Sequence, residues 1–460
     1  MKLTTKFRST QIISLLFVLM LLGCHEIKKE TTPWVDLFDG QTLNGWTIKG
    51  GNAQYKVKDG AIVGTTANEQ LNTFLTSNKL YGDFILELEY KVNPNMNSGI
   101  QIRSNSYPHY MDGRVHGYQI EIDPSERGWS AGIYDEARRG WLHPVADDNT
   151  AAKKAFKQND WNHYRVEAIG DTIRTWINGV PAAHLMDDQT ASGFIGLQVH
   201  GIYGDQKPGT EIAWRNIRIL TDNLEKYAQK SPLLVVDKIN KLTSNEAKQG
   251  WKMLWDGETT NGWRGAKLDT FPKKGWVIEN AELIVLASGG AESSAGGDIV
   301  TTELYGDFEL QVDFKITKGA NSGIKYYVDT DINKGPGSSI GLEYQILDDE
   351  NHPDAKLGSH QGSRTIVSLY DLIKADPNKP VNAVGQWNTA YIISKNNHVE
   401  HWLNGVKVLE YERKSPEFRK LVSESKYAEW PNFGEAEKGH ILLQDHGNRV
   451  SFRNVKIKSL

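Results

Sequence analysis

The chain has 460 residues, a formal charge of −4 and one cysteine. That length can bury two sizeable cores, the charge offers no basic stripe for nucleic acid, and a single cysteine excludes an internal disulfide and leaves little room for thiol chemistry. The 14 tryptophans and 18 tyrosines suit the filling of β-sandwich cores and also the stacking of flat rings such as sugar faces.

Residues 1–24 read as an address. Lys2, Lys6 and Arg8 precede an apolar run from Ile12 to Leu22, shorter than a comfortable membrane span, and Leu21-Leu-Gly-Cys24 ends it. This resembles a bacterial lipobox, whose cysteine is lipidated and becomes the mature N-terminus. The expectation is an exported lipoprotein, periplasmic or on the cell surface, that meets the membrane through its lipid anchor only.

From there the sequence repeats itself. Leu37-Phe-Asp-Gly-Gln-Thr-Leu-Asn-Gly-Trp46 returns 217 residues later as Leu254-Trp-Asp-Gly-Glu-Thr-Thr-Asn-Gly-Trp263. Leu80-Tyr-Gly-Asp-Phe84 and Asn97-Ser-Gly-Ile100 return 224 residues later, at Leu304 and Asn321. Trp176-Ile-Asn-Gly179 matches Trp402-Leu-Asn-Gly405, and Arg215-Asn-Ile-Arg218 matches Arg453-Asn-Val-Lys456. A period this long marks two complete folds, expected over residues 34–221 and 251–460. Within each, Phe84–Val92, Tyr118–Asp123, Tyr164–Ile169 and Phe308–Ile316 alternate as half-buried strands do, and Asn178-Gly179 and Asn404-Gly405 suit tight hairpins. The chain is thus expected to be all-β, with an antiparallel sandwich in each copy. Residues 222–250 break the alternation and read as a partly helical linker, with a short strand through Leu233–Val236 as the competing assignment.

The chemistry-bearing residues lie in matched rows. Gln119, Glu121 and Asp123 share one face of a strand, and the second copy places Glu343 and Gln345 at the first two positions and Leu347 at the third. Such a row is either a solvent face or a ligand groove, and its recurrence favours the groove. The strand then enters Asp348-Asp-Glu-Asn-His-Pro353, which is a solvated turn or a source of metal ligands in Asp348 and His352. Tyr134-Asp135 recurs as Tyr370-Asp371, the first amid Trp129, Arg138, Arg139 and Trp141. Gln198 and His200 recur as Gln444 and His446, with Asp445 between the second pair; histidine beside glycine on a strand is a candidate proton carrier. Gly337-Ser-Ser-Ile-Gly341 spells a nucleophile elbow, but a strand follows it where the elbow needs a helix. No dinucleotide or phosphate-binding fingerprint is present.

On these residues the chain resembles the 3-keto-disaccharide hydrolase family, through Leu254-Trp-Asp-Gly-Glu258, Asn321-Ser-Gly-Ile324, Glu343-Tyr-Gln-Ile-Leu-Asp348, Gln386-Trp-Asn388, Trp402-Leu-Asn-Gly405 and Ile441-Leu-Leu-Gln-Asp-His-Gly447. The resemblance spans both copies and implies two concanavalin A-like jelly-roll sandwiches. It also implies cleavage of glycosides oxidised to a ketone at C3, by C2 proton abstraction and β-elimination followed by hydration, with a separate sugar 3-dehydrogenase supplying the ketone. In the second copy the base is then Glu343 or His446; Lys325, or a divalent metal on Asp348 and His352, polarises the ketone; Tyr370 is a supporting donor, and Gln345, Gln444 and Asp445 contact substrate. The first-copy counterparts are Glu121 or His200, with Arg103 for Lys325, and Gln119, Asp123, Tyr134 and Trp141 as substrate contacts. That copy departs from the pattern at Gln119 and Val199, where the second has Glu343 and Asp445. Two other readings compete. One is a retaining glycosidase, because Glu121-Ile-Asp-Pro-Ser-Glu126 resembles the carboxylate row of laminarinase-like enzymes; the other is a carbohydrate-binding module without catalysis.

If Cys24 carries the lipid, Cys24→Ala moves the protein from the membrane fraction to the soluble one. Unchanged fractionation refutes the anchor.

Overall fold

The structure, a computed structural model, describes Met1, residues 33–430 and residues 432–460; Cys24 and the run before it lie outside the described residues. Trp34–Leu460 form one compact unit containing two sandwiches, each with an inner and an outer sheet.

The motif that opens each copy is a turn. Asp39 accepts from the backbone N–H of Gln41 (2.8 Å) and Thr42 (2.6 Å), and Asp256 from those of Glu258 (2.9 Å) and Thr259 (2.7 Å). The next tryptophans seal the turns by donating their indole N–H, Trp46 to Leu37 O (2.8 Å) and Trp263 to Leu254 O (2.7 Å). The longest recurrence in the sequence is therefore architectural, a side-chain-capped turn under a buried indole.

Phe84–Val92 and Phe308–Ile316 are strands over the residues their alternation marks. Phe308, Leu310, Val312 and Phe314 enter the core while Glu309 and Gln311 face outward. The inner sheet of the first sandwich runs in the order Gly140–His143, Ile133–Glu136, His116–Ile122, Ser98–Asn105, Phe194–Val199, Thr73–Ser77, Trp46–Gly50. That of the second runs Trp263–Gly265, Ile299–Thr301, His440–Leu443, Asn321–Asp329, Ile340–Leu347. Antiparallel sheets layered in this way are the concanavalin A-like jelly roll. The Asn-Gly pairs turn hairpins with φ of 48° and 82° at Asn178 and Gly179, and 49° and 85° at Asn404 and Gly405, the doubly positive pair a type I′ turn requires.

The linker is partly helical, and its strand lies at Val236–Asp237, sharing only Val236 with the expected Leu233–Val236. Leu224–Tyr227 and Ser244–Lys248 are helical, the second with a Thr243/Glu246 capping box. Val236–Asp237 is a short strand that adds in parallel to Leu185 and Met186 of the first sandwich.

Buried charge joins the sandwiches. The recurring Asn216 and Asn454 sit at φ of 51° and 50° where each outer strand shifts register, a conformation that asparagine tolerates better than most residues. In the second copy this bulge meets the first sandwich. Asn454 Nδ2 donates to Asp188 (2.9 Å) and Asp313 (2.6 Å), its backbone N–H to Asn240 Oδ1 (2.7 Å), and Arg453 pairs with Asp188 and with Asp171 (3.2 Å). Lys456 pairs with Glu246 of the linker at 2.5 Å. Burial and then the Asp313 charge push the Asp188 carboxyl up, and burial pushes Asp313 up.

Removing one partner from a buried charge cluster strands the others. Arg453→Met should therefore lower the unfolding free energy by about 3–5 kcal/mol at about pH 9, as read from urea denaturation. The gap should narrow as pH falls through about 8, where Asp188 takes up a proton in the folded protein. A loss below about 1 kcal/mol at about pH 9 would place the pair among surface ion pairs.

Candidate active site

The Asn-Ser-Gly-Ile motif builds the centre of each inner sheet, each residue with its own task. Ser98 and Ser322 donate to the carbonyls of Gln198 (2.7 Å) and Gln444 (2.8 Å) on the neighbouring strand. Ile100 and Ile324 enter the cores. The glycines make room: a Cβ on Gly99 would lie 2.5 Å from the Gln119 side chain, and one on Gly323 would lie 2.4 Å from Glu343 Oε1. Asn97 donates to Glu121 at 2.7 Å, while Asn321 Nδ2 lies 3.3 Å from His446 Nε2.

In the second sandwich Lys325 and Glu343 face each other across the ladder, with Lys325 Nζ 3.4 Å from Glu343 Oε2. Lys325 also donates to Ser338 Oγ at 2.6 Å, and Ser338 donates to Asp298. The side chains of Lys325, Glu343 and Asp298 are almost fully buried. Burial pushes both carboxyls up, against the pull of Lys325. Burial opposes the ammonium too, but Glu343, Asp298 and Glu292 together raise its pKa. One firmly charged ammonium thus sits between two buried acids, and it can fully compensate only one of them. A cavity of about 230 Å³ opens beside Asp298, lined by residues 265–268, 293, 295–298 and 335–337.

Around this centre stand groups with spare bonding capacity. The Gln345 amide has one terminal atom 3.1 Å from Asn321 Oδ1 and the other 3.2 Å from Glu343 Oε1. Gln444 Nε2 donates to Glu292 at 3.1 Å, leaving its Oε1 buried without a partner among the described residues. His446 Nδ1 is likewise buried and unpartnered. Tyr370 lies beside Glu343, its N–H donating to the Glu343 carbonyl at 3.0 Å, but its hydroxyl is committed to Asp354 at 2.8 Å. Lys426 stands against Tyr370, its Nζ 4.3 Å from the ring centroid, and forms no ion pair among the described residues. Lys426 is open to solvent by area, yet the surrounding protein lowers its pKa, against the pull of Glu343.

The first sandwich changes the centre. The strand register sets Gln101 against Gln119 where the second copy has Lys325 and Glu343, and the two amides bond at 2.7 Å. Arg103 is therefore not the counterpart of Lys325: it is 2% exposed and bound to Gly82 O, Gly170 O and Asp83, each at 2.8 Å. Glu121 stands at the Gln345 position and not at that of Glu343. It accepts from Asn97 and from Gln119 (3.0 Å), and burial pushes it up to about 7. Asp123 is not free for substrate, because it caps a turn through Ser125 N (3.1 Å) and Arg127 Nε (2.9 Å). Tyr134 and Trp141 pack edge to face at 5.3 Å, with Arg127 above Trp141. His200 sits at the strand end, its Nδ1 2.7 Å from Gly201 O.

Two further expectations fail on geometry. The Asp445 carboxylate is not free, since it accepts backbone N–H groups of Gly296 (3.0 Å), Gly297 (2.9 Å) and Gly447 (3.0 Å). Asp348 and His352 do not fit a metal. Asp348 accepts from Gly319 N (2.7 Å) and Asn351 Nδ2 (2.8 Å), and His352 Nδ1 caps a 3₁₀ turn through Asp354 N (3.2 Å). Among the described residues the group able to hold an ion is instead His398, Glu400 and Glu410 on the outer sheet. Gln101 could have been found from the 224-residue spacing, which carries 325 to 101. Asp298 and Lys426 come from segments distant in sequence that no pattern marks, and Ser338 comes from the Gly337–Gly341 segment, whose spelling gives no hint of its bond to Lys325.

A family model described as a 3-keto-alpha-glucoside-1,2-lyase-like domain matches residues 33–220 and 250–458. A 3-keto-disaccharide hydrolase of Bacteroides thetaiotaomicron is 38% identical over 231 residues, 46% of this chain and 79% of that protein. Two crystal structures from Parabacteroides distasonis, each described as a candidate glycosyl hydrolase, align at 32% and 26% identity and TM-scores of 0.42 and 0.34. They cover 48% and 46% of this chain and 100% and 99% of their own.

Because Gly323 leaves room for Glu343, Gly323→Ala should turn the carboxyl away from its position. Misplacement of that size costs about 10²-fold in turnover, with the melting temperature little changed because the displaced atoms end a flexible side chain. Wild-type turnover in the variant would mean that the carboxyl's position is immaterial.

Proposed function

The chain belongs to the 3-keto-alpha-glucoside-1,2-lyase-like family, a family of glycoside-cleaving enzymes, and we propose that it cleaves glycosides bearing a ketone at C3, using the inner face of its second sandwich. The observation that carries the assignment is Lys325, a buried ammonium set 3.4 Å from the Glu343 carboxyl. A ketone acidifies the neighbouring C–H, and the reaction needs a base at C2 together with fixed positive charge at the C3 oxygen.

The steps follow from these positions. Glu343, ionised, removes the C2 proton, and the C–H electron pair moves toward the C3 oxygen, where Lys325, held by Ser338, stabilises the enolate. The enolate then re-forms the ketone, C1=C2 forms and the C1–O bond breaks. His446 donates a hydrogen bond to the leaving oxygen from Nδ1, its unpartnered nitrogen, since Asn321 donates to its Nε2, and the leaving oxygen takes its proton from water. Gln444 Oε1 accepts from a sugar hydroxyl. The hydroxide so released adds at C1, and Glu343, its proton exchanged with solvent, protonates C2, so the net reaction is hydrolysis. The first sandwich lacks the ammonium, and its Gln101–Gln119 pair suits sugar binding without this chemistry.

Offered a 3-keto-disaccharide and its unoxidised parent, the protein should cleave only the former and, in deuterated water, place deuterium at C2 of the released keto sugar. Glu343→Gln should lose about 10²- to 10⁴-fold in rate. Equal cleavage of the parent sugar would support a retaining glycosidase instead, and binding without turnover a carbohydrate-binding module.

Glu343 acts as base only when ionised, and burial raises its pKa. The acid limb of kcat/KM should thus lie above the usual carboxylate range, activity rising with pH through it. A limb at the ordinary glutamate value would remove Glu343 from the role of base.

A further inference from the structure

The seam between the sandwiches encloses a cavity of about 450 Å³, within the range of small-molecule sites. We propose that this cleft is a second carbohydrate-binding site, for a short neutral glycan, separate from the inner-sheet site and formed only by the two copies together.

Its walls come from both sandwiches. Tyr107 and Tyr110 of the first face Trp387 and Tyr391 of the second, with Trp251 at the junction. Trp387 and Tyr391 lie on the outward side of strand Trp387–Lys395, whose alternate residues Ala390 and Ile392 enter the core. Lys325, Glu343, Gln119 and Glu121 do not line it.

The charges in the cleft are already matched. Arg138 pairs with Asp135 (2.7 Å) and Arg139 with Asp187 (2.7 Å), Glu246 with Lys456 (2.5 Å), and Glu309 with Lys458 (2.9 Å). An anionic or cationic ligand would have to break these pairs. What remains is uncharged: the amides of Gln189, Gln249 and Gln311 beside half-buried rings, those of Asn382 and Asn404 being spent on Trp387 O and on Pro380 O and Asn388. Gln311 and Gln189 bond each other across the seam at 3.2 Å, amide groups that sugar hydroxyls can replace one for one. Amides that both donate and accept, set against flat apolar faces, are what a sugar ring with equatorial hydroxyls demands. The recurring Asn-Gly turn also differs between the copies. Gly405 lies against Tyr107, where a Cβ would be 3.5 Å from the ring, whereas nothing lies within 4 Å of the same point on Gly179. Only the second-copy turn closes a wall of this cleft.

The test uses the full chain and two unoxidised probes, maltose and cellobiose, in isothermal titration. At least one should bind. Trp251→Ala and, separately, Gln311→Ala should weaken that binding about tenfold, the scale of one lost aromatic or amide contact, with far-UV spectra unchanged. Lys325→Met should leave it intact. The proposal is overturned if neither sugar binds at millimolar concentration, if Gln311→Ala binds like wild type, or if Lys325→Met abolishes binding. Binding is read without turnover, so failure here leaves the inner-sheet reaction untouched.

Discussion

A strand turns each successive side chain to the opposite face, and in this molecule that one constraint fixes core and active site together. In the ladder of Asn321–Asp329 with Ile340–Leu347, Ile324, Tyr326, Tyr344 and Ile346 pack between the sheets. Gly323, Lys325, Glu343 and Gln345 then have no choice but the inner face. A slip of one residue would bury the ion pair in the core and expose the aromatics. The hydrophobic pattern that holds the sandwich together is thus also what aligns Lys325 with Glu343.

Duplication supplied two such ladders, and they have diverged at one pair of facing positions. Lys325 with Glu343 places an ammonium and an acid in low dielectric, a costly arrangement that strengthens electrostatics at a reacting carbonyl. Gln101 with Gln119 fills the same place with two amides that satisfy each other and need no compensating charge. The glycines at 99 and 323, the serines at 98 and 322 and the tyrosines at 134 and 370 keep both frames alike. The scaffold is common to both copies, and under the proposed function the chemistry belongs to the second.

The seam explains why the two sandwiches form one compact unit. Arg453, Asn454 and Lys456 all come from the recurring Arg-Asn motif, which in the first copy faces Glu89 and Glu87 on its own sheet. In the second copy the same bulge is turned onto Asp188, Asp171 and Glu246. Buried ion pairs of this kind specify orientation more than they stabilise, and here they hold open a cleft lined by both copies.

The sequence by itself determined the duplication, the strands and the hairpin turns, because each is local or periodic and the second copy checks the first. The rows of Glu343 with Gln345 and of Gln444 with His446 were legible in that way; Lys325 was matched to Arg103, whereas the strand register matches it to Gln101. The same pattern could not say which polar side chains remain free. Asp445, Asp123, Asp348 and Arg103 look like ligands or charges in waiting, yet each is consumed by backbone groups that only the folded loops bring near. Asp298 and Lys426 show the converse, reaching the site from segments that are distant along the chain. The cleft between the copies is further still from the sequence, since it depends on how two finished surfaces meet. Periodicity along a strand assigns a residue to a face; only the tertiary structure decides what occupies that face, because hydrogen-bond partners are chosen by proximity in space.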